Sequence, residues 1–67
     1  MNAMVELRHY SEDGELIMKQ KIPENIKKSR FDHVVTQNRE EAKMNDEICV
    51  LIFMGVPRLI DSLYFYN

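Results

Sequence analysis

Seven consecutive apolar residues, Ile48-Cys49-Val50-Leu51-Ile52-Phe53-Met54, stand in a chain of 67 residues of which 30% are charged. A run of this length, bounded by Asp46-Glu47 and Gly55 and rich in β-branched and aromatic residues, predicts a strand buried on both faces. The rest of the chain must then supply what covers it. A buried two-turn helix is the competing reading of so short a run.

Length sets the scale of that cover. Sixty-seven residues make one domain, close to the lower limit at which a single hydrophobic core holds a fold without disulfides, metals or a partner. A large internal ligand cavity is not expected, whereas help from a partner is. Met1-Asn2-Ala3 precede a second methionine and carry no pattern; they are expected to be disordered or an appended remnant outside the domain. A hydrophobic fraction of 45% excludes a wholly disordered chain. The formal net charge of −2 supplies no global field to attract phosphate backbones or anionic membrane, and is too small for a mimic of DNA. Cys49 is the single cysteine, which rules out an intramolecular disulfide and a cysteine-based zinc site and suits a reducing cytoplasm. The N-terminus lacks the pattern of a secretory signal and the apolar run is far shorter than the roughly 20 residues of a membrane-spanning helix. A soluble cytoplasmic protein is the expectation.

Taken in order, Val5-Glu6-Leu7-Arg8-His9-Tyr10 alternates apolar and polar residues, Ser11-Glu12-Asp13-Gly14 has turn chemistry, and residues 15–22 resume the alternation. This predicts a β-hairpin with Gly14 in the left-handed region. The expected register sets Tyr10 opposite Glu15, Leu7 opposite Met18, His9 opposite Leu16 and Glu6 opposite Lys19, giving one apolar face and one charged face. Pro23 then ends the second strand. Phe31, Val34, Val35, Asn38 and Ala42 fall at helical spacing, and Ser29 with Asp32 has the form of a capping box. The β-branched run Val34-Val35-Thr36 could instead make 31–37 a third strand; the helix is preferred, and Asn45-Asp46 end it.

After the apolar run, a loop over 55–58 sets Val50 opposite Leu63, Ile48 opposite Phe65, Leu51 opposite Ser62 and Cys49 opposite Tyr64, in a final strand over 59–66. Pro57 opening a short helix is the alternative. The fold class is therefore α+β: a small antiparallel sheet in the order ββαββ, with one helix on one face.

Few residues invite chemistry. His9 and His33 lie in different elements with no metal-ligand spacing, and Cys49 lies inside an apolar run with no basic neighbour to activate it. Glu12-Asp13 and Asp46-Glu47 are adjacent pairs that point apart and suit turns and caps rather than acid–base work. Asp61 falls on the apolar side of the last strand, so that either this register is wrong, or Asp61 stands at an exposed end, or it has a partner such as Arg58 or Arg30. No catalytic residue, cofactor or metal site is expected, and no enzyme.

The expected function is contact. A single helix covers one face of a four-stranded sheet, and the expected assignment sends Ile48, Val50 and Ile52 towards Phe31, Val34 and Val35. That leaves Leu51, Phe53, Tyr64 and Tyr66 on the uncovered face as the residues for a protein partner or a second copy in a homodimer. The alternative is a single-stranded nucleic-acid module, with bases stacked on Tyr64 and Tyr66 and phosphates held by Lys27, Lys28 and Arg30; the negative net charge disfavours it. Small size, acidity and the lack of catalytic residues suit an accessory or inhibitor protein of a phage or mobile element.

Overall fold

A computed structural model describes residues 5–60 of the chain. Within them the elements run β1 (Val5–Tyr10), β2 (Leu16–Ile22), α1 (Lys28–Met44), β3 (Ile48–Phe53) and β4 (Val56–Leu59). The class is α+β, with one four-stranded antiparallel-paired sheet in the order β2-β1-β3-β4. Because β1 is antiparallel to both β2 and β3, β2 and β3 run the same way and need a crossover between them. Helix α1 is that crossover, passing over β1.

The first hairpin forms with a register two residues from the expected one. Leu7 lies opposite Gln20, His9 opposite Met18 and Glu6 opposite Lys21, with a bulge between His9 and Tyr10. The reason lies in the loop. The Ser11 hydroxyl accepts from the Glu15 backbone N–H at 3.1 Å and the Ser11 N–H donates to the Glu15 carbonyl at 2.8 Å. Glu15 is thus held in the turn rather than opposite Tyr10, which pairs with Leu16. A slip of two residues preserves side-chain parity, so the faces of β1 survive: Val5, Leu7 and His9 on one side, Glu6, Arg8 and Tyr10 on the other. Gly14 has the expected left-handed φ of 87°.

Helix α1 spans the expected stripe: Val35, Asn38 and Ala42 are buried, and Phe31 and Val34 are partly buried beside them. Burial of Val35 decides for helix over the local β preference of Val34-Val35-Thr36, as tertiary packing overrides weak propensities. The capping box does not form. The N-cap position is Lys27, without a side-chain cap, which leaves Ser29 inside the first turn. At the other end the Asp46 N–H donates to the Lys43 carbonyl at 3.4 Å and the Glu47 N–H to the Ala42 carbonyl at 2.8 Å. With Asp46 at φ 54°, this is a Schellman motif, and it sets Glu47 directly after the helix.

The second hairpin is tighter than expected. Met54 and Gly55 both have positive φ, 52° and 81°, so a two-residue turn of the type favoured by strand twist replaces the expected 55–58 loop. Strand β4 accordingly starts at Val56, with Val50 opposite Leu59, Leu51 opposite Arg58 and Ile52 opposite Pro57. Pro57 is tolerated because β4 stands at the end of the sheet order. The expected partners Ser62, Leu63, Tyr64 and Phe65, and Asp61 with them, lie outside the described residues.

The expected faces of β3 are exchanged. Cys49 and Leu51 are buried in one cluster with Val5, Leu7, Ile22, Val35, Ala42 and Ile60, whereas Ile48 is exposed and Val50 and Ile52 are half-buried. The cause is the pairing of β3 with β1: Cys49 and Leu51 lie opposite His9 and Leu7, while Val50 and Ile52 lie opposite Arg8 and Glu6. Strand β3 is apolar on both sides and has no preference of its own. Strand β1 has one charged side, and the helix packs on the other, where no charge need be desolvated.

Candidate functional site

The sheet face away from α1 is built by cross-strand rows. One row is Lys21, Glu6, Ile52 and Pro57; the next is Lys19, Arg8, Val50 and Leu59; Tyr10 and Ile48 stand together at the end. The β2–β1 half is thus ionic and the β3–β4 half apolar. Ile48 is 42% and Leu59 56% exposed, so the apolar half is a patch rather than a scatter of single side chains.

In the ionic half, the Arg8 guanidinium Nε donates to Glu6 Oε1 in a close ion pair, and its Nη1 donates to the Tyr10 hydroxyl oxygen at 3.2 Å. The hydrogen bond from Arg8, with the added charges of Arg8, Lys19 and Lys21, holds the Glu6 carboxyl below its ordinary value against a smaller desolvation effect. Arg8 is raised by the same contacts, the one to Tyr10 first.

Beneath the sheet lies a second group of polar residues. His9 has no exposed surface. Its Nδ1 is 2.8 Å from Glu47 Oε1 and its Nε2 is 2.8 Å from Asn38 Oδ1, with Cys49 Sγ at 3.6 Å from the same nitrogen. The Asn38 amide is oriented by its own nitrogen, which donates to the Val34 carbonyl at 2.8 Å and reaches Gln20 Oε1 at 3.4 Å. Asn38 therefore presents its oxygen to the ring. Both ring nitrogens have an oxygen partner within hydrogen-bond distance. Among the described residues no buried side-chain polar atom lacks a partner, as a polar network in a small core requires.

Of the sequence-predicted contact residues, Leu51 is buried under α1 and Phe53 stands half-exposed at the end of β3 on that same helix-covered side. They do not share the open face; Ile48, Val50, Ile52 and Leu59 take their place, for the pairing reason given above. Tyr64 and Tyr66 lie outside the described residues. Lys27, Lys28 and Arg30 are all exposed around the start of α1, and Arg30 with Lys21 borders a cavity of about 300 Å³ floored by Ile22, Ile26 and Val34. Sequence reasoning missed the His9 group. Its signal was parity: His9 occupies an inward position of β1 and Asn38 the apolar stripe of α1, so two polar side chains had to meet in the core.

Among the described residues there is no group of three side chains suited to a metal ion, and no helix is long and apolar enough to cross a membrane. Comparison with protein families, curated proteins and solved structures finds no match to this chain.

Proposed function

We propose that this chain works by protein–protein contact rather than by turnover, as a homodimer joined through the apolar half of its open sheet face. The observation that carries the reading is the adjacency of exposed Ile48 and Leu59 with half-buried Val50 and Ile52, beside an ion-paired half. Charge favours a second copy in one orientation. The ionic half holds Arg8, Lys19 and Lys21 against the single carboxylate Glu6, so stacking it on its own copy opposes like charges. A two-fold axis over β3–β4 stacks apolar on apolar and carries the two basic halves to opposite rims. Such an interface also supplies the apolar burial that a chain of this size lacks by itself. A reducing cytoplasm is the setting that suits the lone thiol.

The nucleic-acid alternative gains less support. Lys27, Lys28 and Arg30 lie around the start of α1, on the helix side of the sheet, and the net charge of −2 gives no field that draws in a phosphate backbone.

Sedimentation velocity at roughly 10 to 100 µM, where an interface of ordinary size is occupied, tests the dimer. The expected result is a dimer that Leu59→Lys converts to a folded monomer, with Met44→Lys, on the exposed helix surface, having no effect. A wild-type chain that sediments as a monomer throughout that range overturns the proposal.

A further inference from the structure

Strand β2 stands at one end of the sheet order, and among the described residues no strand pairs with its outer edge. An edge strand turns the N–H and C=O groups of alternate residues outward, where they can receive a further strand. Leu16–Ile22 contains neither proline nor glycine, so each residue keeps its donor. Ile22 is buried and Met18 half-buried, and the rest of the strand is exposed. The opposite edge is the poorer template, because β4 is only four residues long and its Pro57 has no N–H. The two faces beside β2 differ in chemistry. Lys19 and Lys21 stand on the open face, next to Arg8 and Glu6, which are ion-paired with each other. On the helix side, the cavity of about 300 Å³ lies between β2 and the first half of α1, lined by Gln20, Ile22, Ile26 and Val34 with Lys21 and Arg30 at its rim.

We infer that this edge is a docking site for an extended acidic segment of a partner protein, which joins the sheet beside β2 with alternate carboxylates against Lys19 and Lys21 and an apolar side chain in the cavity. The alternation follows from strand geometry. Successive side chains of an added strand point to opposite faces of the sheet, so one set meets the two lysines and the other meets Ile22, Ile26 and Val34. Main-chain hydrogen bonds supply the affinity in this mode, and the side-chain sites supply the sequence preference. Charge selects the occupant. A second copy paired antiparallel along the whole of β2 sets Lys19 opposite Lys19, a like-charge pair that opposes self-association at this edge. The same lysines attract an acidic strand, and the chain's own carboxylates adjoin β2 in sequence only beyond its ends, at Glu15 and Glu24. The site goes beyond the proposed dimer and is compatible with it, since a two-fold axis over β3–β4 leaves both copies of β2 at the outer rims.

The competing reading is that the lysines only blunt an exposed edge. The test is fluorescence anisotropy of a labelled peptide, Glu-Val-Glu-Phe-Glu-Val-Glu, titrated with the full chain. Saturable binding is expected with a Kd on the order of 10 to 100 µM at about 50 mM salt. In nitrogen–proton correlation spectra the shifted amides are expected over Leu16–Ile22 and 26–34, with β4 unmoved. The shuffled peptide Glu-Glu-Glu-Glu-Val-Val-Phe keeps the charge and loses the alternation, and it is expected to bind about tenfold more weakly or less. Of two peptides methylated at one or the other alternate set of amide nitrogens, one is expected to lose binding, since only one set faces β2. Lys19→Gln/Lys21→Gln, at two exposed positions, is expected to weaken binding about three- to tenfold with circular dichroism unchanged. The proposal is overturned by a wild-type chain without saturable binding up to about 1 mM, by equal binding of the shuffled or of both methylated peptides, or by shifts confined to β3 and β4. Leu59→Lys is expected to bind the peptide as wild type does, so a failed edge and a failed dimer are read separately.

Discussion

His9 illustrates how much a single residue specifies in so small a core. A fully buried imidazole is stable only where both nitrogens are met, and Asn38 and Glu47 meet them from the helix and from the turn after it. Asn38→Leu improves the apolar stripe of α1 on paper. It is nevertheless expected to destabilise the chain by about 1–3 kcal/mol in urea unfolding, because it removes the Asn38 partner of the buried His9 Nε2 and of Gln20. On the other face, Glu6 is 7% exposed and its carboxylate accepts from the Arg8 guanidinium. Arg8 and the lysines hold its carboxyl low in the folded chain. Its contribution is present above the ordinary carboxylate range and is lost as pH falls through the lowered folded value. Glu6→Gln is therefore expected to lose less melting temperature than wild type on going from about pH 6 to pH 3.

Among elements, the turns depart furthest from expectation. Gly14 and Gly55 both take left-handed backbone as glycine should, but Met54 takes it too, with no side-chain burial in return, being 68% exposed. A methionine there is conformationally costly and asparagine less so. Met54→Asn is expected to raise stability by about 0.5–1 kcal/mol in chemical denaturation, and a loss of stability would mean that the turn is not of this type. The helix was legible because its stripe from Phe31 to Ala42 repeats over several turns. Its start was not: Ser29 and Asp32 spell a cap, but the chain becomes helical two residues earlier, at a Lys27 N-cap without a side-chain cap. The last strand was displaced for a similar reason. Two residues with left-handed backbone suffice to reverse the chain, and sequence reasoning granted only Gly55 that freedom.

For the whole molecule, the proposed dimer makes a thermodynamic prediction. If two copies bury Ile48, Val50, Ile52 and Leu59 against each other, folding and association are linked, and the melting temperature is expected to rise with protein concentration. Differential scanning calorimetry across a hundredfold dilution checks this, and Leu59→Lys is expected to abolish the dependence. The sequence by itself determined the class, the element order, the parity of β1 and the buried stripe of α1, because each rests on a periodicity that local chain geometry imposes. It also determined that the apolar run forms a strand, β3, but not the expected burial on both faces: Ile48 and Phe53 are exposed, and Met54 belongs to the turn. Which side of that run meets the helix was decided only in three dimensions. An apolar run carries no parity of its own, so the choice fell to β1, whose Glu6 and Arg8 had to face water and so placed Val50 and Ile52 beside them and Cys49 beside His9. The same pairing that put Leu51 beneath the helix and Val50 and Ile52 on the other face also brought Cys49, His9 and Glu47 together.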